Sequence, residues 1–215
     1  MARPAKRDQL VETAMALFYR EGIHATGVDR ILDKAGVARM TLYNNFSGKE
    51  ELVLAALNRR SDEFRGWFAG EIARRAATPR ARLLAAFAVL DDWIRGEAAG
   101  AGFAGCAFIK AASEFGDEND PVRRLAAQHK AALRTDLASL AAAAGASEPA
   151  DLAVDQQQQV GGACRKNGQA SPGGGIAADA RVNGSAADFD LRRIENMRRF
   201  PAADSGDDAP EVRAQ

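Results

Sequence analysis

The sequence predicts an all-α protein, and three observations support that prediction. Apolar residues recur at three- and four-residue spacing over most of the first 144 positions. Glycine stands where several of these runs stop, and residues that commonly cap helix N-termini precede them. With 215 residues, the chain is long enough to bury a substantial core in one or two domains.

The first two helices are predicted before residue 36. The first covers residues 5–21 and ends at Gly22, with a buried stripe formed by Leu10, Ala14, Leu17 and Phe18. Thr26 and Asp29 have the spacing of a capping box, which predicts a second helix that runs to Ala35. Gly36 follows as a C-terminal cap, because glycine adopts the left-handed conformation without steric cost. A tight turn is therefore expected there.

A third helix is predicted over residues 38–46. Leu42 and Phe46 lie four residues apart on one face, whereas the roughly opposite face carries Met40, Thr41 and Asn44. One face packs and the other is free to touch another molecule. Two short helices joined by a tight turn form a helix-turn-helix, a motif that indicates DNA binding.

Further helices follow. Ser47 and Glu50 form a second capping-box pattern, so a connecting helix begins at once and is expected to continue to Thr78. After it, apolar residues at burial spacing predict another helix, namely Leu83, Leu84, Phe87, Leu90 and Ile94. A helical run over residues 105–115, a turn over 116–121 and a long helix to about residue 144 complete the series.

The run AGVARMTLYNNFSGKEEL at residues 35–52 resembles the TetR family of bacterial transcriptional regulators, whose pattern is AGVS-x-x-T-L-Y-x-H-F-x-x-K-E-x-L. Two positions depart from that pattern. Ala38 replaces the usual serine, which loses a helix cap worth about 1 kcal/mol, and Asn45 stands where histidine or tyrosine is common. The run GCAFIKAASEF at residues 105–115 also resembles the regulatory domain of a TetR subgroup.

The resemblance implies a domain organisation. Residues 1–47 are expected to form a three-helix DNA-binding unit with the helix-turn-helix, and residues 48–154 a helical connector and effector-binding regulatory domain. The implied function is a ligand-responsive repressor that binds a near-palindromic operator in double-stranded DNA. Residues 1–60 carry ten basic and seven acidic residues, a local basic excess in a chain of zero formal net charge.

Individual DNA contacts follow from side-chain chemistry and from the resemblance. On the exposed face, which includes Met40, Thr41 can offer a hydrogen bond or its methyl group to a base edge, and Asn44 can pair with adenine. Arg39 can reach guanine or a phosphate. The resemblance implies that four further residues hold the DNA backbone and position the helix: Thr26, Tyr43, Asn45 and Lys49.

An effector pocket is expected between the helices of the regulatory domain, lined by Phe87, Trp93, Phe103, Cys106, Phe108 and Phe115. Aromatic residues at helical spacing are also common in a plain core, and that alternative stays open. An enzyme with Cys106 as nucleophile and His129 as base is a weaker rival, because no third orienting residue supports it. We therefore expect no catalytic activity, no cofactor and no metal site.

Composition excludes several other classes. Cys106 and Cys164 are too few and too far apart for a disulfide framework or a zinc ribbon. No apolar run approaches the roughly 20 residues that cross a bilayer, and the basic start leads into an amphipathic helix instead of a signal peptide. A cytoplasmic location is the expectation.

Residues 155–215 differ in character from the rest of the chain. Four consecutive glutamines and several glycines replace the apolar C-terminal helices that form the dimer interface in TetR proteins. We expect this atypical tail to be partly disordered, especially over residues 155–185, and the homodimer to be weak. The alternative function is an interaction or regulatory protein whose DNA binding is impaired by the altered dimerisation region.

Overall fold

The computed structural model describes residues 6–96 and 103–151, and this part of the chain is all-helical. Its helices are α1 (Lys6–Glu21), α2 (Val28–Ala35), α3 (Arg39–Tyr43), α4 (Lys49–Arg75), α5 (Pro79–Ile94), α6 (Ala107–Ser113) and α7 (Pro121–Ala143). The predicted fold class is confirmed. The expectations for residues 155–215 lie outside the described residues.

The first three helices form a small unit closed by the beginning of α4. Helix α1 buries the predicted stripe, and α2 adds Ile31, Leu32 and Ala35 to the same core. Gly36 takes a φ of 65°, and its backbone N–H caps the end of α2, as the sequence predicts. The chain therefore reverses sharply between α2 and α3.

The predicted capping box at Thr26 is wrong. Helix α2 begins one residue later than a Thr26 cap requires, with Gly27 at the N-cap and no side-chain cap hydrogen bond. The Thr26 hydroxyl instead donates a hydrogen bond to the carbonyl oxygen of Gly22 at 2.7 Å. Because the side chain is fully buried, it ties the α1–α2 turn together from within.

The capping box at the start of α4 also differs from the prediction. Gly48 is the N-cap residue, and the carboxylate of Glu51, not that of Glu50, accepts a hydrogen bond from the backbone N–H of Ser47 at 2.6 Å. This hydrogen bond lowers the pKa of Glu51 below its usual value. The helix start is stabilised as expected, but by the next carboxylate along the chain.

Helix α4 is the structural link between the two halves of the described chain. Its first half packs on α1 through buried Leu52, Val53, Ala56 and Leu57, and its second half buries Phe64, Phe68 and Ile72 against α5 and α7. The bidentate ion pair of Arg65 with Asp136 of α7, at 2.7 and 2.8 Å, adds a polar contact to that packing. A single 27-residue helix thus takes part in one continuous core that extends through both halves.

Helices α5 and α7 lie where the sequence predicts, whereas α4 ends at Arg75 before the predicted Thr78 and α6 is shorter than the predicted run over residues 105–115. Thr78 caps α5 by accepting from the Ala81 amide, and Asp120 caps α7 by accepting from the Val122 amide at 2.7 Å. Leu84 was expected in the core but is 38% exposed on the outer side of α5, which is a correction. None of the described helices has the length and apolarity needed to cross a membrane.

Candidate functional site

Helix α3 presents one face to solvent and buries the other. Leu42 and Phe46 are 0% and 3% exposed, whereas Met40 is 65% and Tyr43 is 49% exposed. Asn44 is also exposed, and Thr41 is half-buried. Met40 and Tyr43 thus share this exposed surface with polar groups. The predicted division between a packing face and an exposed face is confirmed, and its contact with another molecule stays a prediction.

The regular part of α3 is shorter than predicted, because it spans Arg39–Tyr43 and not residues 38–46. Ala38 occupies the N-cap position without a side-chain cap, as its replacement of serine implies. The chain keeps a helical turn beyond Tyr43, since the Phe46 amide donates to the Leu42 carbonyl at 2.8 Å. This continuation keeps Phe46 anchored in the core below the exposed face.

Two ion pairs tie acidic residues of the unit to arginines near the exposed face. Arg39, the first residue of α3, donates to the carboxylate of Asp29 in the first turn of α2. Arg30 of α2 donates twice to Glu21 at the end of α1, at 2.6 Å each. Both pairs are largely solvent-exposed, and such pairs contribute little to folding stability.

The four residues that the resemblance assigns to the DNA backbone lie in different environments. Tyr43 is exposed, and Lys49 is half-buried at the first position of α4. The side-chain amide of Asn45 donates to the Thr41 carbonyl at 2.7 Å, so it closes the end of α3. Thr26 is a correction: its buried hydroxyl is bonded to Gly22, so its side chain does not reach a surface.

An aromatic cluster occupies the core formed by α4, α5, α6 and α7. The Phe64 ring lies at its centre, 5.0 Å from Trp93 and 5.9 Å from His129 between ring centroids. Trp93 packs edge-on against Phe103 at 4.7 Å, and His129 stacks on Phe108 at 3.6 Å. Three of the predicted pocket residues therefore meet, through two rings that the pocket prediction did not include.

The remaining predicted pocket residues are placed differently. Cys106 is buried at the N-cap position of α6, and Phe87 is half-buried on α5. The Phe115 ring packs on His24 at 4.8 Å, beside the three-helix unit, and not on a ring of the cluster around Phe64. A pocket lined by all six residues stays a prediction.

His129 is a buried, hydrogen-bonded core residue. Its Nδ1 lies 2.8 Å from the Ser61 hydroxyl, and the residue is only 5% exposed. Burial, together with the positive charges of Lys130, Arg65 and Arg60, lowers its pKa to about 4. The neutral ring is therefore the stable form at pH 7, within the core and not in an open cleft with the Cys106 thiol.

Helix α6 and the residues on both sides of it contact the three-helix unit. The Glu114 carboxylate accepts hydrogen bonds from the backbone amides of Ile23 and His24 at 2.9 and 2.8 Å. The Lys110 ammonium donates to the Tyr19 carbonyl at 2.5 Å and lies 4.9 Å from the centre of the Tyr19 ring. We call these contacts, which Lys110 and Glu114 make with the end of α1 and the α1–α2 turn, the α6 clamp.

Tyr19 completes the clamp from the other side. Its hydroxyl donates to the carbonyl of Gly105 and accepts from the amide of Ala104, both at 2.8 Å. Sequence patterns did not reveal these partners, since they lie more than 80 residues apart along the chain. The clamp places α6 in contact with the aromatic cluster through Phe108 and with the α1–α2 turn through Glu114.

Comparisons with known proteins place these features in a family. The sequence model described as "Bacterial regulatory proteins, tetR family" matches residues 10–56, and "Tetracyclin repressor-like, C-terminal domain" matches residues 79–161. The first match covers α2, α3 and most of α1, and the second begins at the start of α5. Together they span both halves joined by α4.

Individual proteins give the same result. The transcriptional activator FasR of Mycolicibacterium smegmatis is 37% identical over 100 residues, which are 46% of this chain and 45% of that protein. The transcriptional repressor KstR2 of the same species is 33% identical over 90 residues, 40% of this chain and 42% of that protein. The chain thus aligns with less than half the length of these relatives.

A solved structure extends the likeness over most of the chain. The TetR-type transcriptional regulator sav143 from Streptomyces avermitilis is 29% identical, with a TM-score of 0.69. The similarity covers 92% of this chain and all of that one. It includes the long connecting helix and the helices after it as well as the helix-turn-helix.

Proposed function

This chain belongs to the TetR family of bacterial transcriptional regulators, and on that premise we propose that it is a ligand-responsive repressor of transcription. The proposal has three parts, namely operator recognition by α3, two-fold assembly on DNA, and release by an effector in the regulatory half. The observation that carries it is the exposed face of α3, mounted on a closed three-helix core.

Operator recognition is proposed to use the major groove. Thr41 and Asn44 supply the short polar groups that read base edges, and Arg39 at the start of the helix reaches guanine or a phosphate. Tyr43 and Lys49 flank this face and hold phosphates, which position the helix without reading sequence. The half-buried Asn45 supports α3 from behind through its bond to the Thr41 carbonyl.

The proposed division between residues that contact bases and residues that contact phosphates is tested with four single variants. Tyr43→Phe and Lys49→Ala should weaken binding to operator and random DNA alike, and Lys49→Ala should flatten the salt dependence because one phosphate contact is lost. Thr41→Ala and Asn44→Ala should cost roughly 1–3 kcal/mol at particular base pairs only. Equal losses on both DNAs for all four variants would exclude this assignment.

Assembly on a near-palindrome requires two copies of α3 about one DNA turn, roughly 34 Å, apart. The composition of residues 155–215 leads us to propose a weak homodimer whose formation limits DNA affinity. Analytical ultracentrifugation at micromolar concentration should therefore show a monomer–dimer equilibrium, and limited proteolysis should cut within residues 155–185. A tight dimer with that segment protected would contradict the proposal.

Effector release is proposed to act through α6. In this proposal a small, mainly apolar molecule enters beside Trp93 and Phe103, the half-buried rings of the cluster. It would displace the cluster rings that pack around Phe108, which lies in α6. Since Lys110 lies in α6 and Glu114 directly follows it, movement of α6 would strain the clamp. A ligand changes DNA affinity only by binding the two conformations unequally, so the effector must favour the form with the altered clamp.

Repression is proposed from the relatives, among which KstR2 and ComR of Escherichia coli are named repressors, although FasR is named an activator. A reporter gene placed behind an operator selected from random DNA shows whether the protein represses or activates transcription, with Asn44→Ala as the matched control. Higher reporter output in the absence of the protein supports repression. Lower output in its absence would show activation instead, without removing the DNA-binding part of the proposal.

A further inference from the structure

Asp29 and Arg39 connect the first turns of the two helices that form the helix-turn-helix. The terminal nitrogen Nη2 of Arg39 donates to Oδ1 of Asp29, across the turn that contains Gly36. The Asp29 side chain is 73% exposed and the Arg39 side chain is 59% exposed, so both groups lie at the surface. The pair is placed beside the face that carries Met40 and Tyr43.

A carboxylate at this surface is unfavourable for DNA binding unless it has another use. It repels phosphates, and it cancels the charge of the arginine that could attract them. Arginine, however, has five N–H donors in a planar fork, and one bond to Asp29 leaves donors for a second partner. The same bond also restricts the rotamers of a long side chain that would otherwise lose its freedom on binding.

We propose that Asp29 is a positioning residue for base recognition, which holds the Arg39 guanidinium for a base edge at the expense of general attraction to phosphates. This inference rests on the proposed DNA-binding function and adds a determinant of sequence preference to it. The pair lowers the affinity for random DNA, because its charge is neutral, and raises discrimination at one base pair, because the fork is oriented.

If the pair served mainly to stabilise the fold, its removal would lower the thermal stability of the protein. Exposed ion pairs contribute little to folding, and neither side chain takes part in the buried core. Removal of the Asp29 carboxylate should therefore leave the thermal unfolding of the protein nearly unchanged. Its effect should appear in DNA selectivity, which a merely structural pair would not alter.

The chain offers a matched control in the pair of Glu21 and Arg30. This pair is also exposed, joins neighbouring helices of the same unit and contains one carboxylate and one arginine, but neither residue belongs to α3. Glu21→Gln and Asp29→Asn each remove one negative charge. If the loss of a negative charge strengthens DNA binding in general, the affinity for DNA should rise in both variants. A loss of base preference should be confined to Asp29→Asn.

The experiment uses the full chain and the operator obtained by selection from random DNA. Binding of wild type, Asp29→Asn, Glu21→Gln, Arg39→Ala and the Asp29→Asn/Arg39→Ala double variant is measured on that operator, on each single-base change and on random DNA, at several salt concentrations. Arg39→Ala should lose preference at one position by about five- to 140-fold, the range for a good side-chain contact to a base.

Asp29→Asn should lose a substantial part of that preference at the same position, bind random DNA more tightly and show a steeper salt dependence by about one counterion. It should cause no further loss in the Arg39→Ala background. Undiminished preference in Asp29→Asn would overturn the inference, as would an equal loss in Glu21→Gln. Failure of the wild type to select any sequence would instead refute the proposed function itself.

Discussion

Acidification should destabilise this protein through His129 before most of its carboxylates become protonated. The neutral ring is stacked on Phe108 and bonded to Ser61, and its pKa is lowered from 6.5 to about 4 by burial. An unfolded chain takes up a proton at this residue near pH 6.5, whereas the folded chain does so only near pH 4. The stabilisation is therefore complete above pH 6.5 and is lost as the pH falls toward 4.

The size of the effect follows from the two pKa values. One pKa unit corresponds to about 1.4 kcal/mol, and from pH 7 to pH 5 the protonated fraction of the unfolded state rises from about a quarter to nearly one, while that of the folded state stays below about a tenth. This difference amounts to about 2 kcal/mol of unfolding free energy. The pKa values of three carboxylates are lowered below 4.5, namely those of Glu21, Glu51 and Glu71. Their protonation therefore reduces the free energy of unfolding mainly at a more acidic pH.

Urea unfolding followed by circular dichroism at pH 7, 6 and 5 measures the effect. Wild type and His24→Gln, a substitution of the exposed histidine, should both lose about 2 kcal/mol over this range. His129→Gln should be less stable at pH 7, because the ring stack is lost, yet change little with pH. If His129→Gln lost as much stability as wild type between pH 7 and pH 5, the assignment to His129 would be wrong.

Three further substitutions test local features by urea unfolding and hydrogen exchange. Gly36→Ala should destabilise the protein by about 1 kcal/mol, because φ is 65° there although nothing lies within 4 Å of an added methyl group. Gly70→Ala, five residues before the end of α4, should instead stabilise it by about 0.5–1 kcal/mol, and a destabilised Gly70→Ala would contradict this reasoning. Glu114→Gln should speed hydrogen exchange at the Ile23 and His24 amides, since an amide oxygen replaces a charged acceptor; unchanged exchange would show that the clamp is not held by that charge.

Local patterns predicted most of the helices, since spacing and glycine stops act within a few residues of each other. Gly36 is an example, because the position of a left-handed residue after an apolar run is a property of the run itself. The exposed face of α3 was predictable for the same reason. These features needed no knowledge of how distant parts of the chain meet.

Cap details were less predictable, because several polar residues near a helix start compete for the same amides. The Thr26 hydroxyl donates to the Gly22 carbonyl and caps no amide of α2, which begins one residue later with Gly27 at its N-cap. Glu51 reached the Ser47 amide in place of Glu50. The choice depends on backbone angles at Gly27 and Gly48 that sequence spacing does not determine.

Contacts between distant segments were not predictable from periodicity. Glu114 meets the amides of Ile23 and His24 across about 90 residues, and no local pattern indicates such a pairing. The aromatic cluster was predicted in part, but the sequence could not show that Phe64 lies at its centre or that Phe115 turns toward His24. Tertiary packing decides which face of each helix meets which neighbour.

Selection of bound sequences from a random DNA pool by the purified full chain tests the proposed mode of action. A two-fold regulator that reads DNA with α3 should enrich a near-palindrome whose half-sites are separated by about one helical turn, roughly 34 Å. Asn44→Ala should change the preferred base at one position of each half-site. Recovery of no enriched sequence, or of a site that Asn44→Ala selects unchanged, would show that this chain does not recognise DNA in the proposed way.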